Sequence, residues 1–391
     1  MAANTLSYNA IATILNQIVT QATGQAQITP TTANDFIAVA NTGLLAGYDN
    51  LMGSISQVLS KTIIANRPYS RKFKGLEADT IRWGNHVRKI SYVDRDWDDG
   101  ARLPITDGVA VDQQAPVVDD VIQTNFYGQN DYQIQWTLFA NQLDVAFRGP
   151  DEFASFVTGK LQNISDMVEQ KHEALARATI CNLIGGILDI GNTNQVIHLL
   201  TEYNAATGKS LTNITVYDPD NYPAFIKWVY GRVAKASAML TERSQIFHQN
   251  ITNHPVHRHT PYEMQNVYLF AGNRYEIESR VLADAYHDNY LKLADTESVN
   301  FWQSIVTPDT IQIEPVYMKA DGTLETSGTA VNQANVFGVI ADVEAMGYTV
   351  VNQRSTSAPY NGNGEYQNFW LKFTDRYWND FTENAVVLLL D

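Results

Sequence analysis

Two hydrophobic periods alternate along the chain. In "NTLSYNAIATILNQIVTQA", Leu6, Ala10, Ile14 and Ile18 recur at helical spacing, and Ile11, Leu15 and Val19 widen the stripe. That pattern predicts an amphipathic helix, followed by a Thr- and Gln-rich linker to about Pro30. A second apolar stretch, "DFIAVANTGLLAGYDNLMGSISQVLSKTI", leads into the basic cluster "NRPYSRKFKG". No compact domain is expected from this part alone; it reads as an extended arm with helical pieces.

From 78 to about 138 the period falls to two. Ile81, Trp83 and Val87 alternate with Arg82, His86 and Arg88. The phase slips near Lys89, because Ile90 and Tyr92 then carry the apolar positions, and a bulge is expected there. In "NDYQIQWTL", Tyr132, Ile134, Trp136 and Leu138 alternate with Asp131, Gln133, Gln135 and Thr137. The intervening "DRDWDDGARLPITDGVAVDQQAP" reads as a tip. The expectation is one long two-stranded ribbon. Such a ribbon is marginal alone in water, so its apolar residues are expected to lie on a neighbouring subunit.

The segment "RGPDEFASFVTGKLQNISDMVEQKHEALARATICNLIGG" returns to helical spacing. Pro150 suits a first helical position, and Asp151 and Glu152 suit the positive end of the dipole. Phe153, Phe156, Val157, Leu161, Ile164, Val168 and Leu175 form the stripe, and Gly185 and Gly186 are expected to end it. Eight or nine turns amount to roughly 50 Å. Residues 187–345 mix elements: "YPAFIKWVYGRVAKASAML" predicts a helix, "VYLFAG" a strand with a helix after it, and "ANVFGVIADVEAMGYTVV" strands with turns. "APYNGNGEYQN" predicts a loop or hairpin connection, and the chain closes on an apolar strand over 385–390, expected to be covered on both faces.

Composition narrows the classes. The 391 residues are 45% hydrophobic and 18% charged, which is ordinary for a folded protein. No apolar run reaches the roughly 18 residues of a membrane span, and the absence of Lys and Arg from residues 1–60 leaves no basic start for a secretory signal. Cys181 is the single cysteine, so neither an internal disulfide nor a thiolate zinc site is possible. Net charge is −15, unevenly spread: residues 1–90 carry eight Lys/Arg against four Asp/Glu, the rest 19 against 38. The basic quarter suits an acidic neighbour, a phosphate backbone or plain solvent.

Candidate chemistry is sparse. His248, His254, His257 and His259 crowd into "HQNITNHPVHRH". No carboxylate or cysteine completes a ligand set there, and Pro255 and Pro261 favour an exposed polar loop. Asp94, Asp96 and Asp98 have calcium-loop spacing, but Asp99 and Ile105 stand where glycine and glutamate are required. No dinucleotide fingerprint, P-loop, nucleophile elbow or zinc-helix motif appears. No enzyme, metal or cofactor is expected.

The order of parts, with "RKFKG" opening the ribbon, "GPDEFASFV" opening the long helix and "NFWLKFTDRYWNDFTENAVVLLLD" closing the chain, resembles the major capsid proteins of tailed double-stranded DNA bacteriophages. The likeness is to the α+β Hong Kong 97-like fold, nearest the small short-tailed phi-29-like phages. The resemblance implies an arm (1–75), an extended loop (76–140), a peripheral domain with its spine helix (141–186, the helix over 151–184), an axial domain (187–345) and return strands to the peripheral domain (346–391). It implies self-assembly through pentamers and hexamers into an icosahedral or prolate shell around packaged DNA, made in the host cytoplasm with a scaffolding protein and a portal. Decoration would come from a separate protein, because the chain stops at Asp391, and no coiled-coil leader is present to act as an internal scaffold. Arg67, Arg71, Lys72 and Lys74 are expected at the assembly interface, with Asp94, Asp96, Asp98 and Asp99 as acidic counterparts and Trp83, Trp97, Tyr132 and Trp136 as anchors. Lys89, the only lysine between Lys74 and Lys160, lies on an arm rather than the tip, so a non-covalent shell is expected. The alternatives are an encapsulin-like compartment and a metal enzyme built on His254, His257 and His259.

Overall fold

The computed structural model describes residues 8–25, 29–48, 50–52, 54–55, 73–78, 87–94, 114, 118–127, 129–277, 296–326 and 330–391. Its helices are α1 (Tyr8–Thr23), α2 (Ala33–Leu45), α3 (Ala140–Ala146), α4 (Pro150–Ile190), α5 (Leu199–Thr207), α6 (Tyr222–Leu240) and α7 (Ala271–Ile277). The strands are β1 (Val87–Tyr92), β2 (Val121–Phe126), β3 (Asn130–Phe139), β4 (Val196–His198), β5 (Gln265–Phe270), β6 (Thr296–Val299) and β7 (Ile311–Ile313). They continue with β8 (Val316–Met318), β9 (Leu324–Thr326), β10 (Val331–Gln333), β11 (Val336–Asp342), β12 (Met346–Ser357), β13 (Tyr366–Asn379) and β14 (Ala385–Leu389). Two compact units emerge, the first from 1–83, 128–175 and 348–376, the second from 84–127, 176–347 and 377–391.

The first unit is built on a sheet of order β12-β13-β3. Its core joins Leu15, Ile18 and Val19 of α1 and Phe36 of α2 to Leu138, Phe153, Val157, Ile164, Phe369 and Phe373. The capping box of Thr32 and Asp35 starts α2, and at Gly43 a Cβ would stand 2.9 Å from Val19, so glycine permits the close approach of α1 and α2. The helical pieces expected of the arm are present, and both bury their apolar stripes in this core.

The ribbon expectation is corrected as well. The period-two run of β3 does not pair with β1; it pairs antiparallel with β13, Trp136 opposite Phe369 and Tyr132 opposite Phe373. Aromatic cross-strand pairs on a covered face fix that register. The strand opposite β1 is β2, from Val87↔Phe126 to Tyr92↔Val121 without a register break, so the expected bulge is absent from this pair.

The second unit holds a sheet of order β4-β14-β11-β5-β6. β14 runs antiparallel to β11 and parallel to β4. Every residue of β11 and β14 is buried, and α6 covers the sheet with Phe225, Ile226, Val229 and Val233. An interior strand with both faces covered is apolar throughout. That accounts for the hydrophobic closing segment: β14 lies inside this sheet, whereas β12 and β13, from the same closing stretch, belong to the sheet of the first unit.

The long helix also runs further than expected. α4 has 41 residues, about 60 Å at 1.5 Å per residue, and passes through Gly185 and Gly186. Those glycines serve packing: a Cβ at 185 would lie 2.5 Å from Ile313 Cγ2 and one at 186 2.5 Å from the Phe381 ring. Gly191, at φ +71°, is the left-handed residue that follows the true end.

Candidate assembly surface and its anchor

In the second unit, β1 and β2 form a two-stranded ribbon with unlike faces. Ile90, Tyr92 and Val121 point outward, 46%, 67% and 50% exposed. Lys89 and Ser91 alternate with them and are half-buried, together with Ile122 and Thr124 on β2. The alternation therefore runs opposite to expectation: a lysine faces in and the apolar residues face out.

The reason is what Lys89 meets. Its ammonium lies 2.9 Å from Asp380 Oδ2 and 3.3 Å from Glu344 Oε2, and it donates to Glu383 Oε1. Asp380 and Glu383 are buried, on the turn between β13 and β14. The Thr382 N–H donates to Asp380 Oδ1 at 2.9 Å and the Asp380 N–H to the Ala345 carbonyl at 2.7 Å, which fixes the turn. Arg258 adds a second cation, 3.3 Å from Glu383, and donates to Ser91 Oγ at 2.7 Å and to the Thr382 carbonyl at 3.2 Å. Burial alone would lower the Lys89 pKa, but Asp380 and Glu383 outweigh it and hold the ammonium above its usual range. Burial pushes the Glu383 carboxyl up despite Lys89 and Arg258.

Further along the ribbon, Asp94 makes a second attachment. Its backbone N–H donates to the Pro255 carbonyl at 3.2 Å, its Oδ2 lies 2.9 Å from His257 Nδ1, and it accepts from the His257 N–H and from Arg243. Burial would raise its pKa, yet those donors and the Arg243 charge hold it below its ordinary 3.8. His248 supports the loop from beneath: it is buried, with Nδ1 3.1 Å from Asn384 Oδ1 and Nε2 2.8 Å from the Val256 carbonyl. Burial lowers its pKa. The histidine segment is thus not wholly the exposed loop expected, and it binds the ribbon instead of forming a ligand set. Among the described residues no group of three or more His, Cys, Asp or Glu is placed to hold a metal, and no helix is long and apolar enough to cross a membrane.

Of the expected interface residues, Arg67, Arg71, Lys72, Trp83, Asp96, Trp97, Asp98 and Asp99 lie outside the described residues. Lys74 opens a short 3₁₀ turn, Lys74–Leu76. Asp94 is tied into its own subunit. Tyr132 and Trp136, expected at the assembly interface, pack within the first unit, Trp136 buried and Tyr132 half-buried. Trp136 stacks on Phe369 at 4.6 Å and Tyr132 on Phe373 at 5.2 Å, and the Tyr132 hydroxyl donates to Asp375 at 2.7 Å. Sequence reasoning missed the cluster of Lys89, Arg258, Asp380 and Glu383, whose members lie up to 294 residues apart. The one local signal was a lysine on the phase opposite to Ile90 and Tyr92.

Comparison with known proteins places this architecture. No curated protein sequence matches the chain. Solved phage structures share its fold. The Staphylococcus phage Andhra capsid aligns at a TM-score of 0.54 and 12% identity, covering 82% of this chain and 84% of that one. The structure of the head fiber and inner core protein gp22 of native bacteriophage P68 aligns at 0.54 and 10%, covering 82% and 85%. The α+β fold is that of phage capsid subunits, as the resemblance implied. The sequence profile described as Phi29-like phage major capsid protein matches residues 13–389. The chain belongs to that family, the major capsid proteins of Phi29-like phages, and is a shell-forming subunit of a phage capsid.

Proposed function

We propose that the protein assembles through pentamers and hexamers into an icosahedral or prolate shell around double-stranded DNA, in the host cytoplasm and with a separate scaffolding protein and portal. The observation that carries this reading is the β1–β2 ribbon. Buried charges hold its inner face, while Ile90, Tyr92 and Val121 are exposed on its outer face. An exposed apolar strip on a firmly rooted ribbon suits a surface that another subunit covers. On this reading the ribbon is the root of the extended loop, the first unit the peripheral domain, and the sheet of β4, β5, β6, β11 and β14 part of the axial domain. The basic residues Arg67, Arg71, Lys72 and Lys74 pair with the acidic stretch Asp94 to Asp99, chiefly Asp96, Asp98 and Asp99, of the next subunit. Reversing those four charges then blocks assembly; assembly with loss of packaged DNA alone would place them against the genome instead.

Many modest contacts repeated about symmetry axes close such a shell without turnover chemistry. Lys89 has three carboxylates about its amine, which leaves it ill-suited to covalent linkage. Purified particles are expected to run as monomers on a denaturing gel. A ladder of multimers would contradict that.

A further inference from the structure

The turn between β6 and β7 carries its aliphatic side chains on the outside. Ile305 and Val306 are 77% and 88% exposed. The turn is nevertheless pinned. Trp302, 1% exposed, donates its indole N–H to the Val336 carbonyl at 3.0 Å and its backbone N–H to Pro308 at 2.9 Å. The Gln303 amide brackets Gln312, donating to its carbonyl at 3.0 Å and accepting from its N–H at 2.6 Å. Ser304 Oγ accepts from the Val306 N–H at 3.2 Å, and the Asp309 carbonyl accepts from Val336 at 2.9 Å. Two β-branched side chains with stiff χ1 on a pinned turn lose little entropy on docking.

The same unit offers a receptor of matching chemistry. Between α5 and α6 lies an open groove lined by Ala205, Ala206 and Gly231, with Trp228 beside them. Small residues let an aliphatic side chain come close to the helix backbones. Arg232 at the rim is neutralised by Glu202, bound through Nε at 2.5 Å and Nη2 at 3.1 Å. Lys235, exposed on the same rim, supplies positive charge. Asp309, three residues on from Val306, is half-buried and accepts from the Thr310 hydroxyl at 3.2 Å, and its carboxylate supplies the negative partner. Knob and groove are different patches of one subunit, so a head-to-tail pairing repeats from copy to copy and makes a ring where the rotation between copies closes.

We infer that Ile305 and Val306 seat in the α5–α6 groove of a second copy of this chain, with Asp309 facing Lys235. The inference rests on the shell reading. Val306→Cys combined with Ala206→Cys tests it, because the native Cys181 is buried. Oxidised shells are expected to give a ladder of up to five or six chains on a non-reducing denaturing gel, and the single-cysteine variants none. No ladder, with both cysteines open to a thiol reagent in the free subunit, overturns the pairing. Val306→Asp is expected to cut shell yield more than tenfold at unchanged melting temperature; an unchanged yield also overturns it. A wild-type chain that never assembles, even with its scaffold, would remove the shell reading and this inference together.

Discussion

Replacing Lys89 by Met keeps a side chain of similar length but removes a cation from between Asp380 and Glu383, both buried. Arg258, 3.3 Å from Glu383, stays; Asp380 loses the ammonium at 2.9 Å. Breaking a buried pair by deleting one partner costs about 3–5 kcal/mol, and an exposed pair contributes about 0–1. The Lys89 side chain is 18% exposed, so the larger figure applies. The cost falls on opening of the β1–β2 ribbon. At about 1.4 kcal/mol per factor of ten, amides of β1 and β2 should exchange hydrogen roughly 100- to several-thousand-fold faster in Lys89→Met, with β11 and β14 unaffected. The pH dependence has a definite sign. Glu383 is an acid whose folded pKa is raised, so its burial is tolerated at low pH and becomes costly as pH rises through that value. The Lys89→Met penalty should therefore shrink on acidification, and adding Glu383→Gln should recover part of it at neutral pH. An acceleration under about fivefold, or one confined to the frayed ends of the ribbon, would refute the anchor.

Gly186→Ala should lower the melting temperature, at a cost of about 1–3 kcal/mol of overpacking against Phe381, although helix propensity alone favours Ala by about 1 kcal/mol; a rise would contradict the packing role. Trp136→Ala should destabilise the subunit by about 3–5 kcal/mol in chemical denaturation, whereas a variant of normal stability that fails only in assembly would return Trp136 to the interface. Asp94 has a lowered pKa, so its contribution is present above about pH 4 and is lost as pH falls through its folded value. The protection factor of the His257 amide, with intrinsic exchange divided out, should fall below pH 4, and a protection factor that stays flat from pH 6 to 3 would contradict the contact.

Local pattern carried much of the fold. The stripe Leu15, Ile18 and Val19, the run of β3 and the helix after Pro150 were legible because each is one face of one element. Pairing was not: β3 alternates in the same way whether its partner is β1 or, some 230 residues later, β13. Gly185 and Gly186 misled because the same residue ends helices and permits close packing. The ionic anchor was illegible because Lys89 and the turn holding Asp380 and Glu383 meet only in the folded chain, and because alternation assigns a lysine to the outer face. Ile305 and Val306 were hidden for a similar reason, since an aliphatic pair in a turn reads as core until its exposure is seen.

Sedimentation of the purified protein, with and without a co-expressed scaffolding protein, and negative-stain microscopy of the fast fraction test the central claim most directly. Closed shells, or rings of five and six subunits, are the result expected of this fold and its exposed ribbon face. A 43.7 kDa monomer that stays monomeric with its scaffold present would contradict it.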